Sequence, residues 1–203
     1  MSHTATGYGI AEVTAPTAEP LQVSEVRRHL ALDDSYYDDY ISSLIEVTRA
    51  KVQAHTHRQL VTATYDAKLD ALPAGQQTLA LPYGSLQSVT SITYIDTAGD
   101  SQTFSSSDYD VSTAREPGTI RPAYGKTWPA ARVQQEAATV RFICGYGAAG
   151  AVPQAIKQAM LLLIGHYFNN REQTITGVMA TEIPQGADAL LAPYVLGDSF
   201  TWY

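Results

Sequence analysis

One cysteine, Cys144, cannot form an internal disulfide, so whatever this chain folds into is held by its core rather than by crosslinks. Long apolar runs are missing as well. The greasiest stretch is interrupted by Lys157, Gln158 and His166 well before the roughly 18 apolar residues that a membrane span requires. Positive charge is scarce: 13 Lys and Arg stand against 20 Asp and Glu, for a net charge of -7. That balance argues against a surface that wraps nucleic-acid phosphates, and leaves open an acidic-walled channel through which DNA slides without sticking. Residues 1–6 carry neither a basic cluster nor an apolar core, so no signal peptide is expected and cytoplasmic synthesis is the default.

What is present is dominated by the stretch PQAIKQAMLLLIGHYFNNRE, where the spacing predicts a helix from Pro153 to Glu172. Ile156, Met160, Leu163 and Tyr167 form one apolar stripe. Ala155, Ala159 and Leu162, with Leu161, Ile164 and Phe168, cover most of the rest of the circumference. Such a helix must be buried on more than one side. The expectation is that it packs on its own core with one face and on another subunit with the other.

Residues 1 to about 20 are small, polar and without a period, and read as a mobile arm. A short helix follows from an N-cap at Ser24 to about Leu32, and Asp33-Asp34 ends it. Ser35 with Asp38 resembles a capping box opening a second helix over about 35–57. Its stripe is Tyr37, Ile41, Leu44, Ile45, Thr48 and Val52. From Leu60 the period falls to two. Segments at 61–65, 78–81, 89–95, 102–104, 109–111, 119–120 and 139–144 read as strands, separated by tight turns such as Thr97-Ala98-Gly99-Asp100. Strands so close together, with no helix between them, form an antiparallel sheet.

The fold class is therefore α+β: two N-terminal helices and a long C-terminal helix form a body, with an antiparallel β-block inserted at about 60–145. Residues 21–194 read as one domain. Residues 195–203 form a tail in which Phe200, Trp202 and Tyr203 need a surface to cover them.

Few residues suggest chemistry. Gly145-Tyr146-Gly147-Ala148-Ala149-Gly150 has the G-x-G-x-x-G spacing of a dinucleotide loop. Such a loop needs a helix opening within the glycines and a parallel second strand beyond it, whereas here Pro153 starts the helix after the run. The run reads as a strand-to-helix joint. His55 and His57 point to different sides of a helix, with His29 and His166 elsewhere, so no metal site is expected. Asp33-Asp34 and Asp38-Asp39 suit capping, Cys144 suits a core, and Ser105-Ser106-Ser107 lacks the elbow of a nucleophile. No catalytic, cofactor or metal residue is assigned.

The order of these pieces resembles the head-tail connector, or adaptor, proteins of tailed bacteriophages and of phage-like gene transfer agents. The resemblance is carried by Leu21–Leu30 (LQVSEVRRHL), Asp38-Asp39-Tyr40-Ile41 with Leu44-Ile45, and Val89–Asp96 with Gly99. It continues through Trp128-Pro129, Gly145-Tyr146-Gly147, Val152-Pro153 with Ile156–Ala159, and Tyr167–Glu172. It closes on Glu182-Ile183-Pro184, Leu190-Leu191 and Pro193-Tyr194.

The resemblance implies a non-catalytic, cofactor-free homo-oligomeric ring, usually twelvefold, in the virion neck and assembled in the host cytoplasm. Such a ring sits beneath the portal protein, carries the next neck or tail-completion protein, contacts no membrane, and lines a channel that passes DNA without reading its sequence. It also implies that the C-terminal segment reaches the portal, which points to Phe200, Trp202 and Tyr203. The expected ring interface is Leu161, Ile164 and Phe168 with Tyr37 and Ile41, each buried side chain contributing roughly 1.5–3 kcal/mol. Two other readings stand beside this one. One is a nucleotide-dependent enzyme using Gly145–Gly150; the other is a monomeric module holding a ligand near Tyr94, Phe104 and Tyr109.

Overall fold

The computed structural model describes residues 8–171 and 184–197. They divide into two compact units, a β unit (8–16, Thr62–Gly145, 196–197) and a helical unit (Thr17–Val61, 146–171, 184–195). The class is α+β, as expected.

In the β unit, β1 (Tyr8–Thr14), β2 (Ala63–Leu69), β8 (Ala138–Cys144), β4 (Leu86–Ile95) and β5 (Ser101–Phe104) lie side by side in that order as one antiparallel sheet. A smaller sheet is ordered β3 (Leu79–Ala80), β7 (Thr119–Pro122) and β6 (Tyr109–Ser112). The two-residue period does the sorting. Tyr65, Ala67 and Leu69 of β2 lie opposite Phe142, Val140 and Ala138 of β8, and all six are buried in one core with Ile92, Ile120 and Trp128. Asp66 and Arg141, opposite each other on the other face, form a bidentate pair at 2.8 Å through both oxygens.

The turn between β4 and β5 is organised by Asp96. Its Oδ1 accepts the backbone N–H groups of Ala98, Gly99 and Asp100 at 2.9–3.0 Å. Gly99 there has φ +102°, which only glycine adopts without strain.

One expectation fails at the N-terminus, where residues 8–14 form β1, paired antiparallel with β2, rather than a mobile arm. The strand was hidden because only Ile10 of its seven residues is even partly buried, so it carries no apolar period. Backbone pairing at a sheet edge holds it instead.

The helical unit contains α1 (Val23–His29), α2 (Asp38–Thr56), α3 (Gln154–Asn169) and α4 (Gln185–Leu191). The start of α1 is Gln22 rather than Ser24; its backbone N–H is accepted by the Glu25 carboxylate at 2.7 Å. The start of α2 has no side-chain cap, and Asp38 instead pairs with Arg27 at 3.3 Å. Pro153 sits at the N-cap of α3, where its missing N–H costs nothing.

Helix α3 packs against α2, α4 and α1, and Ile156, Ala159, Met160, Leu163 and Ile164 are fully enclosed with Ile41, Ile45, Val52, Ala187 and Leu191. Thus the second apolar face of α3 is covered in good part from within the chain, by α4, rather than left to another subunit.

Candidate functional site

Of the five residues expected at a subunit interface, Ile41 and Ile164 are 0% exposed in their own chain and have no surface to offer a neighbour. They are core residues, enclosed in one cluster with Ile45, Val52, Ala187 and Leu191 where α2, α3 and α4 contribute their apolar faces. Leu161, Phe168 and Tyr37 pack against this core from outside and keep part of their surface.

Two of the three meet. The N-terminus of α2 and the C-terminus of α3 bring Tyr37 and Phe168 edge to face at 5.2 Å between ring centroids, with Tyr40 at 5.9 Å from Phe168. Tyr36, 82% exposed, adds its ring at 4.9 Å from Tyr37. The guanidinium of Arg171 lies 5.3, 5.1 and 5.2 Å from the centroids of Tyr37, Tyr40 and Phe168. Three electron-rich faces around one cation make a rigid, amphipathic patch, of the composition that dominates protein contacts.

Sequence reasoning found Tyr37 and Phe168 but missed Tyr36, Tyr40 and Arg171. The signal was available in the run Tyr36-Tyr37-Asp38-Asp39-Tyr40, where three aromatics crowd one helix start. Phe200, Trp202 and Tyr203 lie outside the described residues.

The other candidates resolve into structure. The backbone N–H groups of Gly145 and Tyr146 donate to the carbonyls of Ser85 (3.1 Å) and Leu60 (3.0 Å), and a short 3-10 turn, Ala149–Ala151, precedes α3. The glycine run therefore joins strand to helix and does not present a helix N-terminus to a phosphate. Phe104 and Tyr109 are buried and stacked at 5.6 Å, with Trp128 5.7 Å from Phe104, so these rings fill a core and line no ligand cleft. His55 pairs with Asp188 of α4 at 3.3 Å, and His57 takes the left-handed C-cap of α2. Burial pushes the Cys144 thiol up to about 12, which makes it a core group rather than a nucleophile.

Among the described residues no three His, Cys, Asp or Glu are grouped to hold a metal, and no helix is long and apolar enough to cross a membrane.

Solved structures that share this fold include parts of gene transfer agent (GTA) particles. A chain in the neck of an empty GTA particle computed with C6 symmetry is 24% identical, covers 92% of this chain and 95% of its own length, and superposes with a TM-score of 0.74. A chain from the virion of a native GTA particle gives 23% identity, coverage of 92% and 94%, and a TM-score of 0.74. A third, from the neck of a native GTA particle computed with C12 symmetry, gives 24%, 92% and 94%, with a TM-score of 0.66. No curated protein matches the chain. The family model for head completion proteins matches residues 20–194, from just before α1 to the end of the turn after α4. A match over so much of the chain means that this protein belongs to the head completion protein family.

Proposed function

We propose that this structural connector of the head–tail junction works as one subunit of a closed ring in the neck of a phage-like particle. There it joins the portal to the next neck or tail-completion protein and surrounds the path of the DNA. The observation that carries the reading is the family match over residues 20–194. Neck chains of the same fold come from particles computed with C6 and C12 symmetry, which favours a ring, and we take twelve copies as its size.

The role is mechanical rather than catalytic. Tyr37, Leu161 and Phe168, with the neighbouring Tyr36, Tyr40 and Arg171, form one contact surface of the subunit, and Phe200, Trp202 and Tyr203 dock on the portal. The chain's net charge of -7 suits a channel wall that repels DNA rather than holding it.

The experiment is assembly without this chain. Deleting its gene is expected to give heads that do not join tails, restored by supplying the protein in trans. Normal tailed particles in its absence would overturn the reading. Truncation after Gly197 is expected to leave the fold intact and abolish incorporation into particles.

A further inference from the structure

The five-stranded sheet ends in two edges, β1 and β5, and among the described residues no strand lies outside either. Hydrogen-bond alternation fixes which backbone groups each edge presents. The Ile95 N–H donates to the Ala137 carbonyl at 2.8 Å, so Ile95 and Thr93 turn their backbone groups to β8, and Tyr94 and Ile92 turn theirs to β5. Their partners Gln102 and Phe104 face β4, which leaves the N–H and C=O groups of Ser101 and Thr103 pointing outward.

The same alternation carried through β8 and β2 turns Gly9 and Ala11 of β1 towards Lys68 and Asp66 of β2. Ile10 and Glu12 then point their backbone groups outward. Ser101 and Thr103 thus offer donors and acceptors on one edge, and Ile10 and Glu12 offer as many on the other.

Neither edge carries the proline or lysine that commonly blocks strand addition; Glu12 is the one charged residue in the two strands. The occupant such an edge accepts is another extended strand. Its direction also follows. Four successive antiparallel steps separate β1 from β5, so the two edge strands run the same way. In a ring, each copy is turned only a fraction of a revolution from the last. Strands lying near the ring axis would then keep their direction across the joint, and β5 of one copy would meet β1 of the next in parallel. A closed ring also needs two different, complementary surfaces on every subunit, and these edges are such a pair.

We propose that neighbouring copies join edge to edge, the outward backbone of Ser101 and Thr103 in β5 pairing with that of Ile10 and Glu12 in β1 of the next copy. The inference rests on the ring reading.

The test is disulfide trapping in assembled particles. Thr103→Cys is combined in one chain with Ala11→Cys or Gly9→Cys, whose side chains lie on the same face of the sheet as Thr103, since side chains sharing a face of paired strands come within disulfide reach. The native Cys144 is buried and does not compete. Oxidised particles are expected to give a ladder of covalent multimers from a double variant and none from the single variants. Thr103→Pro, which removes an outward donor and none towards β4, is expected to lower incorporation at least tenfold while circular dichroism of the free chain is unchanged.

Particles that contain the protein but give no ladder from either pair, with Thr103→Pro incorporated normally, would overturn edge pairing and leave the connector role standing. Absence of the wild-type protein from particles would overturn both.

Discussion

Gly118 shows how closely single residues are fitted in the β unit. It is buried, and a Cβ added there would overlap the side chain of Leu86. Gly118→Ala is therefore expected to destabilise the chain by about 1–3 kcal/mol, read as a lower urea midpoint. Asp96 sets a second condition. The N–H of Asp100 first, and then the Gln102 amide, hold its carboxyl below the usual aspartate range. A folded value below the unfolded one adds stability that is present above about pH 4 and is lost as pH falls through the folded value. Asp96→Asn should accordingly be less stable than wild type at neutral pH, and the gap should narrow on acidification. Urea titrations of both proteins at several pH values check it. A gap that stayed constant would show that shape rather than charge organises the turn. Neither residue's role was legible as chemistry in the sequence, but Thr97-Ala98-Gly99-Asp100 was legible as a turn, because turn residues act through their immediate neighbours.

At the scale of elements, what the sequence revealed and what it concealed separate by how each element is held. Helices α2 and α3 bury long apolar stripes, and the strands from β2 to β8 alternate or sit between turn residues, so their periods announced them. Strand β1 is held by its backbone and sits at an edge, so its side chains say little. Helix α4 is only seven residues long, yet Ala187 and Leu191 are fully buried in the core that α3 shares, so part of the cover α3 needs comes from its own chain. Amphipathicity showed that α3 needs cover on several sides and could not show which chain supplies it. The distinction can be measured. Ile164→Ala should cost the free chain about 2–5 kcal/mol, the penalty for emptying a closed core. Leu161→Ala, at a half-buried site, should cost the free chain clearly less and show its main effect in ring assembly, by sedimentation or by incorporation into particles. Equal losses of free-chain stability would mean that Leu161 is also core.

For the molecule as a whole, the two units differ in how they are threaded. The helical unit is interrupted in sequence by Thr62–Gly145, yet it has a core of its own, running from Leu21 and Val26 through Ile41, Leu60, Met160 and Ile164 to Leu191. The two ends left by removing that insertion lie together, since the Tyr146 N–H donates to the Leu60 carbonyl at 3.0 Å. Arg58 strengthens this corner, its Nε donating to the Tyr194 carbonyl and its guanidinium lying 6.0 Å from the centroid of the Tyr146 ring. A chain lacking residues 1–16, with a short glycine linker in place of 62–145, should therefore fold. Its far-ultraviolet circular dichroism should be that of a helical protein, and its thermal transition cooperative, because loop-closure entropy across so short a gap is small. A coil-like spectrum would show that the helical core depends on the β unit. If sheet edges join the subunits, the shortened chain should also stay out of particles even though it keeps Tyr37, Leu161 and Phe168, which separates the two contact surfaces in a single preparation.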